Sequence, residues 1–220
     1  MSDIDAGGRA PRRDATANRE ALLAAAADAL GEASDAPLER ITSAAGLTRR
    51  AFYGHFANRD ALVRELYDIG VGELRDLVPE ISSAETGWQS VELYLERVAE
   101  WLGERPYVPA VMRRMAEIDP GHRPGIGFED AVNGIVDRAR AEGSLRPDVT
   151  GVDLAVLVDM LGSLGQYGGA YLPYWRRQLA IVLDGLRARP DPTALPGAGL
   201  AFDAFHDMSH AKGPRSATGA

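Results

Sequence analysis

The stretch that decides the fold reads PLERITSAAGLTRRAFYGHF and occupies residues 37–56. Pro37 favours the first position of a helix, Gly46 favours a helix end, and Thr48 is a good N-cap for the next helix. Two short helices separated by Gly46-Leu47-Thr48 match a helix-turn-helix, in which the second helix enters the major groove of DNA. The sequence therefore predicts a DNA-binding head in this region.

The apolar and polar residues of this stretch separate onto different sides of the two predicted helices. The apolar positions that would face the preceding helix are Ile41, Ala45, Leu47, Phe52 and Phe56. An arginine near the start of a recognition helix can read guanine or hold phosphate, and a tyrosine can donate to phosphate. The candidate DNA contacts are Thr48, Arg49, Arg50, Tyr53, His55 and Arg59. The competing interpretation is a solvated helix face for the arginines and a capping or core-edge role for Tyr53 and His55.

The charge distribution supports DNA binding at one end of the molecule, although the net charge of −8 taken alone argues against it. The segment from Arg40 to Arg59 contains four arginines and no acidic residue. A local basic face matters more than the total, because salt screens charges over about 8–10 Å. We expect the acidic remainder to stay off the DNA.

Residues 45–62, AGLTRRAFYGHFANRDAL, resemble a run that is common in the TetR family of bacterial repressors, A-G-V-S-x-x-T-L-Y-x-H-F-x-x-K-E-x-L. The helix LLAAAADAL at residues 22–30 is similar to the family's first helix, and the resemblance is specific over residues 18–66. Ala51 departs from the pattern, which usually has a phosphate-contacting Thr there, and Gly54 replaces a larger residue. Glu39 lies where some members place a residue that reads a base. These departures put the transfer of any operator sequence in doubt.

The resemblance implies an all-α fold with a three-helix DNA-binding head and a larger helical body for ligand binding and dimerisation. It further implies a homodimer, joined by the last two helices of each body, that binds palindromic double-stranded operator DNA. A small-molecule effector would enter the body and separate the two heads. We therefore expect a ligand-released repressor that has no catalytic activity.

The sequence divides into four predicted regions: a flexible arm over residues 1–14, a helix-turn-helix domain over 15–60, an effector-binding and dimerisation body over 61–189, and a disordered tail over 190–220. Apolar residues at helical spacing dominate the body, and Pro and Gly separate its elements. Its predicted helices are Trp88–Leu102, Val108–Ile118, Phe128–Ala141, Val152–Tyr167 and Pro173–Arg187. Two of them, within residues 152–187, carry more apolar surface than one protomer would bury, which predicts the dimer interface.

The large side chains of the body are each expected in the core, but together they can line an apolar pocket for an effector with an apolar part. The candidate pocket residues are Tyr94, Trp101, Met112, Met115, Phe128 and Tyr167. The chain has no cysteine, no cofactor motif, no metal-binding motif, no apolar signal-peptide run and no stretch long enough for a membrane span. We therefore expect a cytoplasmic protein that binds no membrane.

Two other functions compete with the regulator. The first is a helical small-molecule carrier or enzyme that has lost DNA binding, and the second is a protein-interaction module whose head binds an acidic partner. No nucleophile–base pair and no paired carboxylates at helical spacing support catalysis. The four arginines from Arg40 to Arg59 would have no use in a carrier.

Overall fold

The computed structural model describes residues 9–119, 121–122, 126–167 and 172–210, and over these ranges the protein is all-α. The one β feature in them is an isolated bridge between Leu145 and Arg187. The helices are α1 (Arg9–Glu32), α2 (Leu38–Ala44), α3 (Arg49–His55), α4 (Arg59–Ser82), α5 (Gly87–Gly103), α6 (Val108–Ile118), α7 (Ile126–Ala141), α8 (Gly151–Gly162), α9 (Leu172–Leu186) and α10 (Phe202–His210). The predicted fold class is confirmed.

The chain folds into two compact units that do not follow a division at residue 60. The first unit contains residues up to Ile69 together with Arg105–Ile118, and the second contains Gly70–Glu104 and the described residues from Asp119 onward. Helix α6, which the sequence-based division assigned to the body, packs against α1 in the first unit. Amphipathic spacing shows that α6 has an apolar face but does not show which neighbour covers that face.

The first unit has its core where α1, α2, α3 and α4 meet. Its most deeply buried side chains are those of Leu22, Ala26, Ile41, Phe52, Leu62 and Val63. Helix α4 begins after Asn58, whose side chain accepts a hydrogen bond from the Ala61 N–H at 2.8 Å. This cap satisfies one of the free N–H groups at the start of the helix.

Helix α1 begins at Arg9, within the segment 1–14 that the sequence predicts as a flexible arm. The physical reason is that Ala and Arg favour helix strongly, while Pro11 lies in the first turn, where its missing N–H breaks no intrahelical bond. Residues 1–8 lie outside the described part of the chain.

The second unit is built around α5, which packs against α7, α8 and α9. Its core includes Val91, Tyr94, Leu95, Val136, Ala139, Leu154, Leu161 and Trp175. The predicted single helix over residues 152–167 is divided, because α8 ends at Gly162 and a 3₁₀ turn follows over Ser163–Tyr167. This turn comes very close to the end of α5: a Cβ on Gly165 would lie 2.5 Å from the Cα of Gly103.

Within residues 190–220, which the sequence predicts as a disordered tail, the structure has helix α10 over Phe202–His210, and this helix packs against α8. His206 is buried, and its Nε2 lies 2.6 Å from Oε1 of Glu129 on α7. Phe202 packs against the core of the second unit, so an apolar contact and a polar pair both hold this segment. Residues 211–220 lie outside the described residues.

A second contact fixes the segment that precedes α10. The Asp148 carboxylate accepts hydrogen bonds from Arg146 Nε at 2.8 Å and from the Leu195 N–H at 3.2 Å. The hydrogen bond from Arg146 is the main cause that lowers the pKa of Asp148 to about 2. The carboxylate therefore stays ionised, and this contact persists at neutral pH.

Candidate DNA-binding interface

The turn between α2 and α3 is closed by backbone hydrogen bonds that require a glycine. Gly46 has φ +67°, in the left-handed region that other residues rarely adopt. Its N–H donates to the Ser43 carbonyl at 3.1 Å, and the Leu47 N–H donates to the Thr42 carbonyl at 2.9 Å. This is a Schellman ending, and it directs the chain straight into the next helix.

Helix α3 begins at a Thr cap and is held by one aromatic side chain. The Thr48 hydroxyl oxygen accepts from the Ala51 N–H at 3.1 Å. Phe52 is completely buried, and its ring stacks on that of Phe56 with centroids 5.4 Å apart. Because one face of α3 is fixed in this way, the other face is left for solvent or a ligand.

Arg19 of α1 fixes the far end of α3, a role that the sequence analysis did not find. Its guanidinium lies over the Phe56 ring, 4.5 Å from the centroid, and its Nη1 donates to the His55 carbonyl at 2.8 Å. Its Nε donates to Glu65 of α4 at 2.9 Å. These partners are 36 and 46 residues away in the sequence, so no local pattern indicated the contact.

Two of the four arginines in the basic segment are paired with acidic residues that precede it. Arg49 Nη1 lies 2.7 Å from Glu39 Oε1 on α2, and both side chains are more than half exposed. A hydrogen bond to Tyr53 and the charge of Glu39 raise the pKa of Arg49. Arg40 pairs with Glu32. The segment is therefore less basic in the structure than in the sequence.

The predicted DNA contacts separate into two groups. Thr48, Arg49 and Arg50 at the start of α3 are exposed, as is Tyr53, whose exposed fraction is 53%. Arg50 has no hydrogen-bond or ion-pair partner in the described part of the chain. The second group is half-buried: His55 is the last residue of α3 and Arg59 is the first residue of α4.

The six predicted pocket residues do not lie in one unit. Met112 and Met115 belong to α6 in the first unit. Tyr94, Trp101 and Phe128 belong to the second unit, where the Tyr94 and Phe128 rings have centroids 6.2 Å apart. The side chain of Tyr167 lies outside the described residues.

Tyr94 and Trp101 have defined polar surroundings within the second unit. Burial, with a smaller contribution from Asp159, raises the pKa of Tyr94, so its phenol stays protonated at neutral pH. Trp101 Nε1 donates to Glu73 Oε2 at 2.8 Å. The Tyr94 phenol can therefore be buried without leaving a charge in the core, and Glu73 satisfies the indole N–H of Trp101.

Comparisons with known proteins agree with this geometry. Residues 22–66 match the family model described as bacterial regulatory proteins, tetR family. A TetR transcriptional regulator from Streptomyces coelicolor shares 27% identity with the chain at a TM-score of 0.51, over 80% of this chain and 99% of that one. A TetR family regulator from Chloroflexus aurantiacus has 21% identity and a TM-score of 0.57, over 78% and 94% of the two chains.

A structure described as a gamma-butyrolactone receptor, ArpA-like protein, is also similar in fold, with 20% identity and a TM-score of 0.56 over 79% of this chain and 90% of that one. No curated protein matches the chain at a significant level.

The closed turn, the capped and exposed α3 and the helical second unit define a helix-turn-helix regulator of transcription. With the match over residues 22–66, the chain is a TetR-like DNA-binding transcriptional regulator, as its sequence predicted. In the part of the chain that the structure describes, no helix is long and apolar enough to span a membrane.

Proposed function

We propose that the protein is a homodimeric repressor that binds a palindromic operator through α3 of each protomer and is released by a small molecule. The observation that carries the proposal is that the first turn of α3 is exposed while Phe52, on the same helix, is fully buried and fixes the helix in place. A helix fixed in this way presents its N-terminal residues to base edges without further ordering of the backbone. A carrier without DNA binding is not favoured by the comparisons.

The proposed roles of the contact residues follow from their exposure and chemistry. Arg50 and Arg49 read bases or hold phosphate from the start of α3. Arg50 is unpaired among the described residues, and Arg49 is paired with Glu39. Thr48 and Tyr53 donate to phosphate, because hydroxyl groups on a recognition helix contact the backbone more than the bases. His55 and Arg59 contact phosphate beyond the other end of α3.

Selection of bound duplexes from a random library, followed by footprinting, tests the function directly. We expect a two-fold symmetric site whose half-site centres lie about 10–10.5 base pairs apart, or a multiple of that. A selected site without two-fold symmetry would contradict the dimeric mode of binding. Binding to DNA without any sequence preference would contradict the proposal that the protein is an operator-binding regulator.

The proposed dimer surface lies on α8 and α9 of the second unit. The structure places Leu154, Val158 and Leu161 in the protomer's own core, although the sequence assigned them to the interface. Four other apolar side chains on these helices are exposed: Val156, Met160, Tyr174 and Ile181. A second copy of the chain that covers them would remove this apolar surface from water.

We expect Met160→Glu with Ile181→Glu to convert the dimer to a monomer, because the two side chains are 61% and 55% exposed and a charge at either would be desolvated in the interface. Sedimentation velocity at micromolar concentration measures the change. Met208→Glu on α10 is the matched control, since Met208 is also 61% exposed. A wild-type protein that sediments as a monomer would refute the proposed dimer.

The proposed effector has an apolar part, since the second unit holds Tyr94 and Phe128 side by side with Trp101 on the same helix as Tyr94. Similar structures include gamma-butyrolactone receptors. Effector binding releases DNA only if the effector prefers a conformation that DNA does not, and DNA must then weaken effector binding by the same factor. A screen of small apolar molecules for release of the selected operator tests this part of the proposal.

Glu39 is expected to limit non-specific binding, because its carboxylate lies on the exposed surface beside Arg49 and repels phosphate. We expect Glu39→Gln to raise affinity for non-specific duplex and to steepen its dependence on log salt by roughly one unit. Fluorescence anisotropy over a salt series measures both. Glu80→Gln, which breaks a similar exposed pair with Arg97 in the second unit, is the control. Unchanged non-specific affinity in Glu39→Gln would contradict the prediction.

A further inference from the structure

The first unit contains a cavity of about 360 Å³. Its walls come from the end of α1 and the residues that follow it, the first turns of α4, and α6. We call its apolar lining residues the apolar wall; they are Leu30, Val63, Ala110 and Val111. We call its polar lining residues the polar wall; they are Ser34, Asp35, Arg59, Arg113, Arg114 and Glu117. The volume lies within the roughly 300–1,000 Å³ of ordinary small-molecule sites.

The polar wall carries an excess of positive charge. Arg114 is already paired, since its guanidinium donates to Asp60 at 2.8 Å and to Glu117 at 2.8 Å. Arg59 and Arg113 have no ion-pair or hydrogen-bond partner in the described part of the chain. Asp35 is the only other acidic residue that lines the cavity. Two guanidinium groups that are unpaired among the described residues therefore line the same cavity as one carboxylate and four apolar side chains.

We propose that this cavity binds an organic monocarboxylate that has an apolar chain or ring. Its carboxylate lies between Arg59 and Arg113, because the planar guanidinium groups match a carboxylate in geometry as well as charge. Its apolar part covers Leu30, Val63 and Val111 and removes them from water. An inorganic anion would leave the apolar wall exposed to water, and a neutral hydrocarbon would leave the guanidinium groups of Arg59 and Arg113 without a counter-charge.

This site goes beyond the proposed function, and its occupancy does not depend on DNA. One effect of ligand binding at this site rests on the proposed function, in which Arg59 is also a phosphate contact. A carboxylate and a DNA phosphate would then use the same guanidinium group, so that each weakens binding of the other equally.

Isothermal titration of the full-length protein with octanoate, in the absence of DNA, tests the site. We expect wild type to bind octanoate and Arg113→Gln to bind it roughly tenfold more weakly, the usual effect of losing one charge-assisted hydrogen bond. Ala110→Leu, which extends a side chain into the cavity, should also weaken binding. Arg75→Gln removes an exposed arginine of α4 outside the cavity and should bind like wild type.

Three results would overturn the proposal. The first is the absence of octanoate binding to wild type, and the second is equal binding by wild type and Arg113→Gln, which would locate the ligand elsewhere. The third is binding of acetate or of 1-octanol as tight as that of octanoate. Acetate would then show that the apolar wall does not contribute to binding, and 1-octanol would show that the arginines do not. Circular dichroism of each variant confirms that it is folded. Because no DNA is present, failure here is distinct from failure of the regulator function.

Discussion

Arg50→Ala should lower operator affinity by about 1–3 kcal/mol if Arg50 contacts a guanine bidentately, and Arg49→Ala should lower it by less. The difference follows from their surroundings. Arg50 has no partner among the residues that the structure describes, whereas Arg49 must weaken or share its 2.7 Å contact with Glu39 when it contacts DNA. The double variant should lose almost all sequence-specific binding.

Anisotropy titration of the selected operator and of single-base variants distinguishes base reading from phosphate contact. A residue that reads a base should, on replacement, relax the preference at that base pair, while loss of a phosphate contact weakens all sequences alike. Arg75→Ala is the control, because it removes an exposed arginine of α4 in the second unit. Unchanged operator affinity in the double variant would exclude α3 from the groove.

Gly87→Ala should destabilise the second unit by about 1–3 kcal/mol or more, through overpacking of α5 against α7. A Cβ on Gly87 would lie 2.5 Å from the Ala139 nitrogen and 2.7 Å from its Cα. Both are backbone atoms, which cannot rotate away as the end of a flexible side chain can. The two helices must separate, and the 2.7 Å hydrogen bond from the Gly87 N–H to Glu142 would lengthen or break.

Gly134→Ala in α7 is the matched control for this substitution. Gly134 is exposed, and a Cβ there would meet nothing within 4 Å. We expect a gain of roughly 0.4–1 kcal/mol, because alanine has less backbone freedom to lose on folding and favours helix. Thermal denaturation followed by circular dichroism compares the two variants. Equal melting temperatures for Gly87→Ala and wild type would show that the close approach of α5 and α7 is not needed.

Local signals in the sequence were sufficient for most helix positions. Gly46 with Thr48 located the turn, and the boundaries of α6 were predicted to the residue, because Pro and Gly mark helix ends through backbone geometry alone. The assignment of α6 to the head and the ordering of α10 could not be predicted. Both depend on contacts between residues far apart in the sequence, such as His206 with Glu129.

The residues exposed at the start of α3 could be predicted as a set, but their ion pairing could not. Arg49 and Arg50 are adjacent and chemically identical, and the sequence offered no reason to separate them. The structure separates them because Glu39, one helix earlier, lies within reach of Arg49 alone. The lining of a pocket cannot be predicted in the same way. An apolar side chain at helical spacing gives the same sequence pattern whether it lines a cavity or fills a core.

All three tryptophans of the chain, Trp88, Trp101 and Trp175, are buried in the second unit, and the first unit contains none. Indole emission excited at the red edge of its absorption therefore reports on the second unit alone. The DNA-binding head is silent in that signal, whereas its helices contribute to the far-ultraviolet dichroism. A loss of dichroism that precedes the red shift of the emission during heating would thus be unfolding of the head, observed in the unlabelled protein without any substitution.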